Sequence, residues 1–338
     1  MGSKSASNRL MHLRVTFFAT RYLKTMRRVA SRLAGLGLII AVGVFPGVFA
    51  SQHSSEHLGW QQQDSAPEQS ETPNQNSPQT VLKAGPSLDA AFSDMYSLKF
   101  QAARTQIASY LKIQPNDPLG YAAQAASYLF EEFQQKEVFS SAFFLDDKRF
   151  LGGVDGSPDD NRNPNFLSAN QKARELAKGR LNENSKDAEA LMTLAMTDGM
   201  ESDYDELIEK KQLASLSMLR EADSYANRAL AIDPHALDAY VSLGSANYII
   251  GCLPSYKRAF LWVGGIHGDR VRGIAQLQQA ATGGHYLRPF AKIMLALASE
   301  REHQFARAAD LLAQLVQEFP DNPHFSQELT IAQKAAGR

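Results

Sequence analysis

The sequence predicts an all-α body built from repeated helix pairs, and three observations carry that prediction. From residue 84 onward, Ala- and Leu-rich stretches place apolar side chains three and four apart, the spacing of one face of an amphipathic helix. No alternating apolar and polar run bounded by hairpin turns interrupts them. One phrase also returns: Phe100-x2-Ala103-x3-Ile107-x2-Tyr110-Leu111-x3-Pro115 recurs as Leu219-x2-Ala222-x3-Ala226-x2-Ala229-Leu230-x3-Pro234 and as Phe305-x2-Ala308-x3-Leu312-x2-Leu315-Val316-x3-Pro320. Such repetition marks stacked units, each too small to bury its own apolar face.

In chain order, the first element is a leader. Residues 1–50 hold eight Lys and Arg and no acid, and an uncharged apolar run over 33–50 ends in the small residues Val48 and Ala50. That order predicts a secretory signal cleaved after Ala50, with an uncleaved N-terminal anchor as the other reading. Residues 51–83 are rich in Gln, Ser, Pro, Asn and Glu and offer too little apolar surface to offset chain entropy, so they read as a disordered polar linker. Of the 338 residues, 44% are hydrophobic and 21% charged, ample for a large core beyond the linker. Residues 51–338 carry 27 basic against 36 acidic residues, a net of −9 that argues against nucleic acid as a partner. Cys252 is the single cysteine, which excludes multi-thiolate metal centres.

Within 84–338 the phrase has a mechanical reading. Small Ala lets a neighbouring helix approach, larger residues one and two turns later fill the groove, and Pro stops the helix. A degenerate copy carries Ala173, Ala177, Arg180 and Leu181, with Ser185 in the proline's place. These residues resemble the second helix and terminating proline of the tetratricopeptide repeat family. Its first-helix signature is matched less fully by Tyr121, Ala125 and Tyr128, by Leu191, Leu194 and Ala195, and by Tyr240, Leu243 and Gly244. The resemblance implies a right-handed α-solenoid of about five helix–turn–helix units, over 84–117, 118–187, 188–236, 237–288 and 289–322. A capping helix with Phe325 and Leu329 follows. The three middle units exceed the family's 34-residue length, and the enlarged intra-repeat loops are expected near 134–165, 200–212 and 251–268, on one side of the array. The first, with Phe139, Phe143, Phe144 and Phe150, is aromatic enough to pack.

In the resembled family the concave groove is lined from the first helix of each unit. Carried onto these positions, the rule selects Leu88, Phe92, Met95, Leu129, Met192, Met196, Val241 and Tyr248 as the partner-binding candidates. They are apolar, with methionines that adapt to irregular shapes, and either a partner's apolar segment or the chain's own insertions occupies the groove. Chemistry is thinly supported. Asp155, Ser157, Asp159 and Asn161 alternate like a calcium loop, but Asp160 stands where the loop needs Gly and Phe166 where it needs Glu. His53-Ser-Ser-Glu-His57 matches an inverted zinc-protease pattern within the polar linker, and the body histidines form no i, i+4 pair. The glycines around 264–268 lack a following Lys-Ser/Thr, Cys252 reads as a small core residue, and Lys257-Arg258 reads as a solvated pair. No catalytic residue, metal or cofactor is assigned. The expectation is an exported, non-catalytic adaptor or scaffold of the bacterial periplasm or cell envelope. It would hold another envelope protein or peptide and touch membrane only through an uncleaved leader. The other reading is a carrier of an apolar small molecule or lipid in a roofed groove.

Overall fold

The computed structural model describes residues 87–263 and 265–338; the leader, the linker with its His53 and His57, and Gly264 lie outside the described residues. Among the described residues there are fourteen helices and no strand. They are α1 (Leu88–Tyr96), α2 (Phe100–Ile113), α3 (Pro118–Gln135), α4 (Ser141–Leu145), α5 (Asp147–Gly152), α6 (Arg162–Glu183) and α7 (Ala188–Leu207). Then come α8 (Gln212–Ile232), α9 (Ala239–Cys252), α10 (Ser255–Val263), α11 (Arg270–Gly283), α12 (Arg288–Arg301), α13 (Phe305–Glu318) and α14 (Pro323–Ala335). Among the described residues no helix is long and apolar enough to cross a membrane.

Local chemistry starts several of these helices. Ser87, Asp117, Asp187, Asp269 and Asn322 each accept from an exposed backbone N–H of the first turn, and Pro118 and Pro323 stand where no donor is needed. The recurring phrase is the buried stripe of the second helices. Ala103 and Ile107 on α2, Ala173 and Ala177 on α6, Ala222, Ala226 and Ala229 on α8, and Ala308 and Leu315 on α13 are all buried completely. Small side chains there let helix axes come close, as the spacing predicts.

Packing follows the chain. Helices α1 and α2, α3 and α6, α7 and α8, α9 and α11, and α12 and α13 form pairs, and α14 covers α13. The second helix of each pair also packs on the first helix of the next, and successive first helices touch one another. Short links close three of these pairs and turn on side-chain-bearing residues in the left-handed region, Leu98 (φ 59°), Lys210 (φ 56°) and His303 (φ 58°), and Glu137 (φ 56°) turns the chain out of α3 into the first insertion. Glycine usually fills such positions, which is why the sequence alone does not flag them.

The three enlarged units differ. In the first, 136–161 carries α4 and α5, and after α5 Gly153, with a φ of 74°, brings the chain against α7 so that Val154 N–H donates to the Leu207 carbonyl at 3.0 Å. In the second, the added residues lengthen α7 and α8 to 20 and 21 residues, leaving a link of only 208–211. The third forms α10, held by Leu261 and Ile266 packed on Ala246 and Ile250.

The first helix also meets the far end of the body. Phe92 stacks on Tyr286 (centroids 4.9 Å apart) and Tyr96 tilts against Phe319 at 5.3 Å. The Tyr96 hydroxyl donates to the Tyr286 carbonyl at 2.9 Å, and Asn322 Nδ2 donates to the Tyr96 carbonyl at 2.8 Å.

Candidate functional site

The eight groove candidates lie on the first helices: Leu88, Phe92 and Met95 on α1, Leu129 on α3, Met192 and Met196 on α7, and Val241 and Tyr248 on α9. All are buried except Met192, which is half-buried. The seven buried ones belong to one continuous hydrophobic cluster that also contains Phe143, Phe144 and Val154 of the first insertion. Met192 and Met196 border a pocket of about 280 Å³, counting its open side, beside Leu119, Ser242 and Tyr286. Tyr248 donates its hydroxyl to the Ala298 carbonyl at 3.2 Å, which ties α9 to α12.

The insertion is held at several points. Arg301 of α12 donates to the Phe144 carbonyl at 2.6 Å, pairs with Asp147 and lies over the Phe150 ring at 4.5 Å. His324 of α14 contacts the Phe139 carbonyl at 3.1 Å through Nε2, and Glu328 accepts from the Ser141 N–H at 3.2 Å. A bound carbonyl requires the proton on Nε2 of His324.

A cleft of about 500 Å³, counting its mouth, opens where the insertion, α1 and the last helices converge. Phe130 and Phe290 stack at 5.6 Å, and Phe139 stands edge-on to both, at 6.0 and 5.7 Å. Tyr96, His324 and Phe325 complete the wall, and exposed Gln134 and Glu137 form the lip. Beneath it, a smaller recess shares Phe139, His324 and Phe325 and adds Glu300 and Glu328. Glu300 is 2% exposed and its Oε1 has no hydrogen-bond partner among the described residues. Burial, and then the neighbouring Glu328 carboxylate, push its pKa up to about 7. Sequence reasoning misses this cleft because its walls come from positions as distant along the chain as Tyr96 and Phe325. The aromatic density of 139–150 is the one signal that points to it.

No protein-family model matches the chain, and no curated protein does either. The functional reading therefore rests on geometry. Among the described residues no three His, Cys, Asp or Glu side chains come together as a metal site. In the calcium-like loop, Asp159 accepts from the N–H groups of Asn161 (3.0 Å) and Arg162 (2.8 Å) and pairs with the Arg162 guanidinium at 3.1 Å. Those donors lower its pKa, and they occupy the oxygens a cation would use. Four of the five body histidines are engaged as well. His285 pairs with Asp89 at 2.6 Å, His324 holds Phe139, His303 lies by Phe305, and His267 lies by Trp262. Burial raises the Cys252 thiol above its ordinary pKa, the opposite of what a reactive thiolate needs.

Proposed function

We propose that this protein is a non-catalytic adaptor that holds a polypeptide partner through the aromatic cleft between Phe130, Phe139 and Phe290. The carrying observation is the cleft itself: a concave, aromatic-walled opening with a polar lip is the geometry in which a partner's apolar side chain is desolvated. The order of helix contacts supports a finer reading of the fold, a right-handed solenoid of five tetratricopeptide-like pairs with α14 as its cap. On this reading the rigid pairs supply the frame and the first insertion supplies one wall of the site. The basic leader and apolar run favour export to the periplasm or envelope, where the partner would reside.

A photo-crosslinking amino acid at Gln134, on the lip, tests the adaptor reading in cells. We expect one discrete polypeptide adduct there and none from the same probe at Ile113, an exposed site on α2. The cleft also favours a second reading, a carrier of an apolar small molecule, because its walls are aromatic. A retained ligand mass in native mass spectrometry, with no polypeptide adduct at Gln134, would decide for the carrier.

A further inference from the structure

The body is acidic overall, but not uniformly. Residues 255–272 hold Lys257, Arg258, Arg270 and Arg272 against Asp269 alone, a net of +3, while the rest of 51–338 carries 23 basic and 35 acidic residues, a net of −12. The same stretch holds three of the exposed large apolar side chains: Tyr256 (71% exposed), Trp262 (65%) and Val271 (79%). Helix α10 is pinned on its inner side by buried Leu261, which packs with Ile266 on Ala246 and Ile250. Its other side is presented to solvent. Arg258 and Trp262, four residues apart, share that face, and Tyr256 lies within the same exposed arc.

We propose that this face of α10, with Val271 and Arg272 at the start of α11, docks on an anionic lipid membrane surface. Two features of the face favour lipid over a protein partner. Trp and Tyr have apolar bodies and polar tips that suit the headgroup layer, and here both are largely exposed on a short helix, with the His267 ring edge-on to Trp262 at 6.4 Å. A cationic patch that also presents exposed aromatic side chains, on a body of net negative charge, is drawn to an anionic surface that repels the body as a whole, which favours docking through this face. Arg270 is partly committed, since it pairs with Glu302 at 3.0 Å, and Asp223 lies close enough to Arg272 to feel its charge. Arg258 and Lys257 supply the remaining attraction. The helix would lie in the plane of the interface, with its aromatic side chains among the headgroups.

The chain has two tryptophans, Trp60 and Trp262, so the full chain carrying Trp60→Phe reports on the α10 face alone. We expect its emission to shift to the blue on phosphatidylcholine vesicles containing phosphatidylglycerol, and brominated lipid to quench it. Both effects should fade at high salt. Arg258→Glu with Arg272→Glu should weaken the vesicle titration by roughly several hundredfold, four units of charge at about fivefold each, with the helical circular dichroism unchanged. Three results would overturn the proposal. One is Trp262 emission that stays water-like and unquenched, whether the chain pellets with the vesicles through its leader or does not pellet. Another is equal quenching on pure phosphatidylcholine, and the last is a blue shift that appears only when a second protein is added.

Discussion

Asp238 does more for this fold than its place at the start of α9 suggests. Its carboxylate is buried and accepts from three consecutive N–H groups, those of His285 (2.8 Å), Tyr286 (2.9 Å) and Leu287 (3.2 Å), on the turn that carries the stacking partner of Phe92. Asp238→Ala strands those donors, a loss of about 3 kcal/mol or more. It should lower Tm by roughly 5–10 °C in a thermal melt, while Asp238→Asn keeps part of the loss back. Glu300 works in the opposite sense. Its folded pKa of about 7 lies above the ordinary 4.5, so its protonated form is the one the fold favours. Stability is therefore fully present below about pH 4.5 and declines as pH rises towards 7, by roughly 2–3 kcal/mol for this group. Asp198 and Asp223, each pushed up to about 6 mainly by burial, add to the decline. Glu300→Gln should flatten the fall in Tm between pH 5 and pH 8 and raise Tm at pH 8; an unchanged slope would refute the assignment. The repeated phrase holds one more residue-scale detail, and it is half legible. Tyr110 and Arg180 occupy equivalent places in the phrase, and each bonds the aspartate seven residues on, Asp117 at 2.7 Å and Asp187 at 2.8 Å. The sequence marks Arg180 only as a departure, because a phenol and a guanidinium look unlike until their common acceptor is seen.

Between α9 and α11 the backbones touch. A Cβ on Gly273 would lie 2.5 Å from the Tyr248 amide nitrogen, and one on Gly244 would lie 2.8 Å from that of Leu277. Backbone cannot retreat as a side-chain tip can, so Gly273→Ala should cost about 1–3 kcal/mol. Gly179 on α6 is exposed and a Cβ there meets nothing within 4 Å, so Gly179→Ala should add about 0.5–1 kcal/mol through helix propensity. Denaturant midpoints that moved the same way for both would contradict this account of the crossing. The helices themselves are readable because their signals are local: a cap, a proline, a spacing of three and four. The second enlargement is less readable, since residues 200–207 continue α7 where the repeat length predicts a loop near 200–212, and no local breaker separates the two outcomes. The site is least readable of all. Burial of Phe92 and of its neighbour Tyr96 depends on contacts with Tyr286 and Phe319, and no short window of sequence encodes those partners.

Contacts between the first helix and the last turns set how the molecule comes apart. An open array of repeats unfolds piecemeal because each unit touches only its neighbours. Here Tyr96, Lys99 and Phe92 meet Phe319, Asp321 and Tyr286, and Ser141 and Phe139 are held by α14. We expect one cooperative transition, with circular dichroism and tyrosine fluorescence melting together, and hydrogen exchange in α1 and α2 rising sharply when α13 and α14 are deleted. Protection of α1 and α2 that survived that deletion would show the two ends to be independent.

The meeting of Tyr96 with Asn322 also bears on descent. Arrays of stacked repeats ordinarily grow or shrink by duplicating or losing a module, because a new module needs only a neighbour like the old one. In this chain an added or missing pair would carry the partners of Tyr96 and Phe139 out of reach, so the tally of five pairs is fixed by the handshake between its two extremities.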